Sequence, residues 1–306
     1  MLSNFLVVAA QVGVLFLLMA VGFLLGKREM IDPHTTGQMS TLLLYVIAPC
    51  VVVNSLQTPY DPHLLSALLW GCVLLLGQYG GLILVSRFTF GRQPPQTRSV
   101  LRFAQVYSNN VFMGLPLLQA ALGEDAAVFV IPSLVMFYLF QWTHGVTTMG
   151  GRVSLRHALL NPAMIGVFVG FALFVTNTAL PPVAGTTVKL LAGVNTPLAM
   201  LVIGVQMSRA RFRATFTDLR LYAVSAVRLL LSPLLTLLVM FPFRWVDGDL
   251  FCSLVILSAA PAAGLTSIFA QRFGQDTATA AQTVSLSTLL SLGTLPLFAV
   301  LAQGLV

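Results

Sequence analysis

Residues 108–116 read Ser-Asn-Asn-Val-Phe-Met-Gly-Leu-Pro. They lie inside an apolar run long enough to cross a bilayer, yet carry two adjacent amides, a glycine and a proline. Proline removes a main-chain donor and its ring collides with the preceding turn, so a helix kinks or breaks here. The bilayer core offers no water to satisfy freed backbone groups. A break is tolerated there only where protein buries it or where it lines a water-filled cavity. A second break, Ser258-Ala-Ala-Pro261-Ala-Ala-Gly264-Leu-Thr266-Ser267, follows about 150 residues later. Paired interruptions in two halves of a membrane protein point to a transporter's binding site.

Composition sets the solvent. The chain has 306 residues, of which 57% are hydrophobic and only 8% charged; its mean hydropathy is +0.91. Such values describe an all-α, polytopic membrane protein. The net charge of +7 is accounted for by basic residues in short loops rather than by a nucleic-acid surface. Cys50, Cys72 and Cys252 all lie in apolar segments without CxxC or metal-ligand spacing, and read as packing residues; no metal site is expected. Lys27 and Arg28 follow the first apolar run instead of preceding it, which favours a retained span over a cleaved signal peptide.

With about 20 residues needed per crossing, ten spans fit. TM1 to TM3 run roughly Phe5 to Gly26, Thr36 to Leu56 and Leu64 to Phe88. TM4 and TM5 run roughly Val100 to Leu122 and Ala126 to Thr148. TM6 and TM7 run roughly Asn161 to Val175 and Thr186 to Met207. TM8 to TM10 run roughly Leu219 to Phe241, Leu250 to Phe273 and Thr277 to Leu305. Thirteen of the sixteen Lys and Arg residues fall in or beside the odd-numbered connections, Arg211 among them. The bias predicts odd loops in the cytoplasm and both termini outside; a bacterial inner (cytoplasmic) membrane is the expected location.

The halves repeat. Pro49 answers Pro197, Gly114 answers Gly264, and Gly123-Glu-Asp125 answers Gly274-Gln-Asp276, at offsets of 148, 150 and 151. Residues 1–148 form one five-span unit, 149–160 a cytoplasmic connector, and 161–306 the second unit. An odd number of spans per unit forces the second copy to enter from the opposite side, giving a 5+5 inverted repeat with TM4 and TM9 broken.

All nine acidic residues lie near segment ends. A mid-span carboxylate, the usual proton or cation relay, is missing, as is the aspartate pair of an intramembrane protease. No HExxH, GxSxG or P-loop pattern occurs, so the chain is not expected to be an enzyme. The breaks offer other chemistry. A helix N-terminus near the bilayer midplane presents free N–H groups and the positive end of a dipole to an anion. Asn109 and Asn110, with Thr266 and Ser267 from the other break, can add side-chain donors. Asn54, Tyr138 and Gln141 are further lining candidates. Arg228 is the one basic residue at mid-span. Its insertion costs about 2.5–3.5 kcal/mol, and two readings stand: attraction of an anionic substrate, or a fixed partner such as carbonyls freed by a break. Gln78 of TM3 occupies the matching place in the first unit.

The chain resembles the auxin efflux carrier family. The likeness rests on Asn109-Asn-Val-Phe-Met-Gly-Leu-Pro116, Asn161-Pro-Ala-Met-Ile-Gly166, Thr196-Pro-Leu-Ala-Met-Leu-Val-Ile-Gly204, Arg228 to Pro233, Ala260-Pro261 with Phe273-Gly274, and Thr294-Leu-Pro296. The resemblance implies a fold similar to bile acid–sodium symporters, with a scaffold of TM1, TM2, TM6 and TM7 that often forms a homodimer contact. TM3–TM5 and TM8–TM10 would form a moving transport bundle. TM4 and TM9 would cross near their prolines, placing Asn109, Gly114, Pro116 and Pro261 at the site; Gly264 of the second break is a further binding candidate. The resemblance further implies an elevator-type secondary transporter of a small organic anion, a mono- or dicarboxylate such as malonate. The long cytoplasmic loop of the plant members is absent, and Ala262 follows Pro261 where they tend to have a polar residue, which argues against auxin itself. No cofactor is expected, with Na+ or H+ as potential coupling ions. The alternatives are a sodium- or proton-coupled symporter, and a non-transporting membrane sensor that binds the anion.

Overall fold

The computed structural model describes residues 2–153, 155–210, 212–244 and 247–306; Arg211, one of the basic loop residues, lies outside them. The described residues are helical almost throughout. In chain order the main helices are α1 (Leu2–Lys27), α2 (Pro33–Ser55), α3 (Pro62–Phe88), α4 (Pro95–Val106), α5 (Asn110–Leu122) and α6 (Glu124–Thr148). They continue as α7 (Pro162–Val175), α8 (Pro182–Ser208), α9 (Leu219–Phe243), α10 (Gly248–Ser258), α11 (Leu265–Arg272) and α12 (Thr277–Gln303). Among the described residues, seven are long and apolar enough to cross a membrane alone: α1, α2, α3, α6, α8, α9 and α12. The chain is therefore a multi-pass membrane protein. The predicted TM4 is the end-to-end pair α4 and α5, and TM9 is the pair α10 and α11.

Helix starts explain where the acids lie. The first N–H groups of a helix lack intrahelical acceptors, and Asp is a strong N-cap. Asp32, Asp61, Asp218, Asp247 and Asp276 each accept a main-chain N–H in the first turn of α2, α3, α9, α10 and α12. Asn161 does the same for α7, from Met164 N–H at 3.0 Å. Prolines at the first helical position extend several spans beyond their predicted starts. Helix α4 begins at Pro95, not near Val100, and α8 at Pro182, not near Thr186; a proline there loses no hydrogen bond and presets φ.

Small residues bring the helices together. A β-carbon on Gly22 would overlap the Leu201 main chain, and one on Gly204 would overlap Met19, so α1 and α8 touch backbone to backbone. Gly166 of α7 fits against Pro49 of α2 in the same manner, its missing β-carbon 2.9 Å from the Pro49 Cα. Small residues serve this purpose in membranes, where close packing drives helix association. Helices α1, α2, α7 and α8 thus share contacts. Helix α3 packs on α6 and α9, while α12 lies against α4, α9, α10 and α11.

The connections gather at two ends. Arg209 donates to Ile31 C=O at 2.9 Å, Arg220 to Gln93 at 2.8 Å, Thr97 to Asp276 at 2.8 Å, and Gln275 to Met149 C=O at 2.8 Å. These bonds tie the basic, odd-numbered connections to one another. Tyr60 N–H to Asn177, Leu180 N–H to Gln57 and Gln303 to Ala121 C=O do the same for the other end.

Candidate functional site

The two breaks meet in the middle of the helices. Helix α4 stops at Val106 because Tyr107 is extended, at φ −98° and ψ 115°. Helix α10 stops at Ser258, and Pro261 keeps the chain from resuming until Leu265. The unwound stretches then pair antiparallel at Ser108 and Ala262. Asn109 N–H donates to Pro261 C=O at 2.7 Å, and Ala263 N–H donates to Tyr107 C=O at 3.0 Å. Ala262 N–H takes its acceptor from a third helix, the Ser287 Oγ of α12 at 3.2 Å. Each break thus satisfies the other's main chain, as a buried backbone requires. Pro261 has no N–H to waste, and the pairing uses its carbonyl. The turn opening α5 is wide: Met113 N–H and Gly114 N–H both reach Asn109 C=O at 3.2 Å.

Arg228 lies behind the breaks, on a wide turn of α9, and is 1% exposed. Its guanidinium donates to Val106 C=O at 2.9 Å, to Gln105 C=O at 3.4 Å, to Ser258 C=O and to Ser232 Oγ. Those carbonyls are the freed C-terminal acceptors of α4 and α10. Ser232 also receives Gln78 Nε2 at 3.2 Å and donates to Ser258 C=O at 3.2 Å. Gln78 therefore meets Arg228 through a hydroxyl. Among the described residues the ion pair is Asp218–Arg220, and no carboxylate faces Arg228. Of its two sequence readings, the fixed partner made of freed carbonyls is the one the geometry matches.

On the opposite side, the N-termini of α5 and α11 face a small cavity lined by Asn109, Asn110, Tyr138 and Gly264. Asn109 Nδ2 is buried here without a partner; Gln141 Oε1, Thr266 Oγ1 and Ser267 Oγ are also unpartnered, but those residues do not line this cavity. Unpartnered buried groups are rare in folded proteins and call for an explanation. Asn110 differs, since its Nδ2 donates to Ser133 C=O at 3.3 Å. Gly114 lets α5 approach α10; a β-carbon there would stand 2.9 Å from Leu257 Cδ2. Pro116 is buried in α5 and lines none of these cavities, and neither does Asn54 near the end of α2.

A vestibule of about 1130 Å³ opens between α2 and α7 on one side and α6 and α11 on the other. Arg156 and Arg272 line it, which places its mouth at the basic end. Tyr138 and Gln141 line its wall. Leu44, Tyr138 and Leu265 border both the vestibule and the small cavity, and separate the two. Gln206 of α8 escaped the sequence reading. Its Oε1 is buried without a partner, and a β-carbon on Gly264 would stand 3.8 Å from it. The signal was a lone amide near the end of an apolar span, indistinguishable from a boundary residue.

The sequence comparisons point to membrane transport. A family model described as "Membrane transport protein" matches residues 7–153 and 146–299. An "Uncharacterized transporter" of Methanothermobacter thermautotrophicus is 27% identical over 212 residues, which is 65% of this chain and 67% of that protein. The match spans nearly the whole length and includes both breaks: the chain belongs to the auxin efflux carrier family of membrane transport proteins.

Proposed function

We propose that the protein is a secondary transporter of a small organic anion, a mono- or dicarboxylate, bound where the two breaks meet. One observation carries the reading: two helix N-termini and the unpartnered Asn109 amide converge at the foot of an open vestibule, on a pocket of about 10 Å³ that must widen to admit a substrate. Free N–H groups and helix dipoles favour a carboxylate, and Asn109 Nδ2 supplies a donor. Thr266 and Ser267 are secondary donors. Tyr138, with Leu44 and Leu265, forms the partition a substrate passes.

In this proposal ten spans form a 5+5 inverted repeat. Helices α1, α2, α7 and α8 are the scaffold and the dimer contact. The remaining helices form a bundle that carries the site past them by an elevator motion. The vestibule opens to the cytoplasm, following the positive residues at its end, and the termini face the periplasm. Backbone contacts within the scaffold, such as those at Gly22 and Gly204, support a rigid unit. The partition supports a state open to one side only.

Uptake into proteoliposomes tests it, with malonate, succinate, pyruvate, benzoate and indole acetate as the panel. Saturable flux of at least one carboxylate is expected. Binding without flux in any arm would instead favour the sensor.

A further inference from the structure

We infer that the Arg228 guanidinium is a tethered coupling cation: it fills the seat at the breaks that a cation-coupled carrier would offer to free sodium, so transport here is independent of sodium. The inference rests on the carrier reading above and adds its driving force.

The seat is built from oxygen. Three main-chain carbonyls, those of Gln105, Val106 and Ser258, and the Ser232 hydroxyl surround the guanidinium. Unwound carbonyls and half-helix C-terminal ends are the groups that hold sodium in carriers with discontinuous helices. Here α4 and α10 both end on this point. Each helix C-terminus carries roughly half a negative charge, so the two ends together call for about one positive charge. Arg228 supplies it from α9.

Burial makes the match specific. Arg228 is 1% exposed, and no carboxylate pairs with it among the described residues. A buried charge without a partner is expensive, and here carbonyl dipoles and a hydroxyl replace the counterion. Ser232 is oriented for the task by Gln78 and by its own bond to Ser258 C=O. The seat therefore holds its cation in both loaded and empty carriers. A free ion would leave and return with each cycle, and could be driven by its gradient; a side chain cannot. Each cycle then carries no sodium, and the membrane potential acts on the substrate's charge at about 2.3 kcal/mol per charge per 100 mV.

Emptying the seat should create an ion requirement. The parent protein and Arg228→Ala are compared in sodium, guanidinium and choline media, by thermal melting and by carboxylate flux. The parent is expected to melt and transport equally in sodium and choline. Arg228→Ala is expected to melt higher in sodium or guanidinium than in choline, because an ion that binds the folded state stabilises it. Its flux should fall at least about tenfold in choline and recover in sodium or guanidinium. Sodium-dependent flux of the parent overturns the inference, as does a folded Arg228→Ala whose melting ignores both cations. If Arg228→Ala does not fold in any medium, Arg228→Lys decides: melting indifferent to sodium supports a tethered charge, and sodium-dependent melting refutes it. A parent that moves no carboxylate strikes the carrier reading, while the melting comparison still judges the seat.

Discussion

Asn109 and Pro261, residues from opposite halves of the chain, are joined by a main-chain hydrogen bond of 2.7 Å. The bond leaves the Asn109 side chain without a structural duty: its Nδ2 is buried and has no partner. Backbone and side chain can therefore be separated by mutation. Asn109→Ala keeps the pairing and loses the free donor. A hydrogen bond to a charged group contributes about 1.5–3 kcal/mol, so carboxylate affinity should fall at least about tenfold with little change in melting temperature. Titration calorimetry on purified protein measures it. Equal affinity in parent and variant would remove Asn109 from the site.

Asn110 makes the opposite case. Its Nδ2 is committed to Ser133 C=O at 3.3 Å, tying the start of α5 to α6. Asn110→Ala should lose that tie while the carbonyl keeps its bond within the helix, and lower stability by about 0.5–1.5 kcal/mol. The same pair of measurements, melting and binding, should therefore rank these neighbours in reverse order. If Asn110→Ala weakened binding more than melting, its free Oδ1 rather than its amide nitrogen would be the group that matters.

The contrast shows what was legible in the sequence. Proline and glycine announced the breaks, because their effects on a helix are local. Charge asymmetry announced the two ends, which the loop hydrogen bonds then connect. Which donor remained free was not legible, since Asn109 and Asn110 differ only in what stands opposite them. Arg228 was visible as an anomaly, but its partners are carbonyls, and every residue has one. Gln206 was invisible because its interest comes from Gly264, a residue of another helix.

Helix contact gives a stability test. Gly204→Val would drive a side chain into the Met19 main chain, which cannot yield as a flexible side chain would. Overpacking of this kind costs about 1–3 kcal/mol, and α1 would separate from α8. The melting temperature in detergent should drop clearly. Gly13→Ala is the control on α1: a β-carbon there meets nothing within 4 Å, and no drop is expected.

Sidedness can be read by chemical labelling. Thr41 is exposed and lines the vestibule, and Ala179 is exposed at the other end. In a background with Cys50, Cys72 and Cys252 replaced, Thr41→Cys should react with a membrane-impermeant maleimide added from the cytoplasmic face. Ala179→Cys should react only from the opposite face. Reaction of Thr41→Cys from the periplasm alone would invert the orientation and the site's access.

Acid should unfasten the basic end of the molecule. Asp276 caps α12 through Thr279 N–H at 2.9 Å and accepts the Thr97 hydroxyl of α4 at 2.8 Å. Partial burial works to raise its carboxyl, but the bonds from Thr279 and Thr97 and the nearby Arg220 outweigh that and hold it below the ordinary 3.8. A group whose pKa is depressed by folding stabilises the fold above its unfolded value, and loses that contribution as pH falls through the folded one. Asp276→Asn preserves a good N-cap but removes the charge and one acceptor. At neutral pH it should melt about 2–4 °C below the parent. The gap should close as pH drops below about 4, where the parent's carboxylate becomes protonated. Asp218, likewise depressed by its bond to Arg220, titrates in both proteins and cancels from the difference. A gap that stayed constant from neutral pH into acid would mean that Asp276 acts through shape rather than charge.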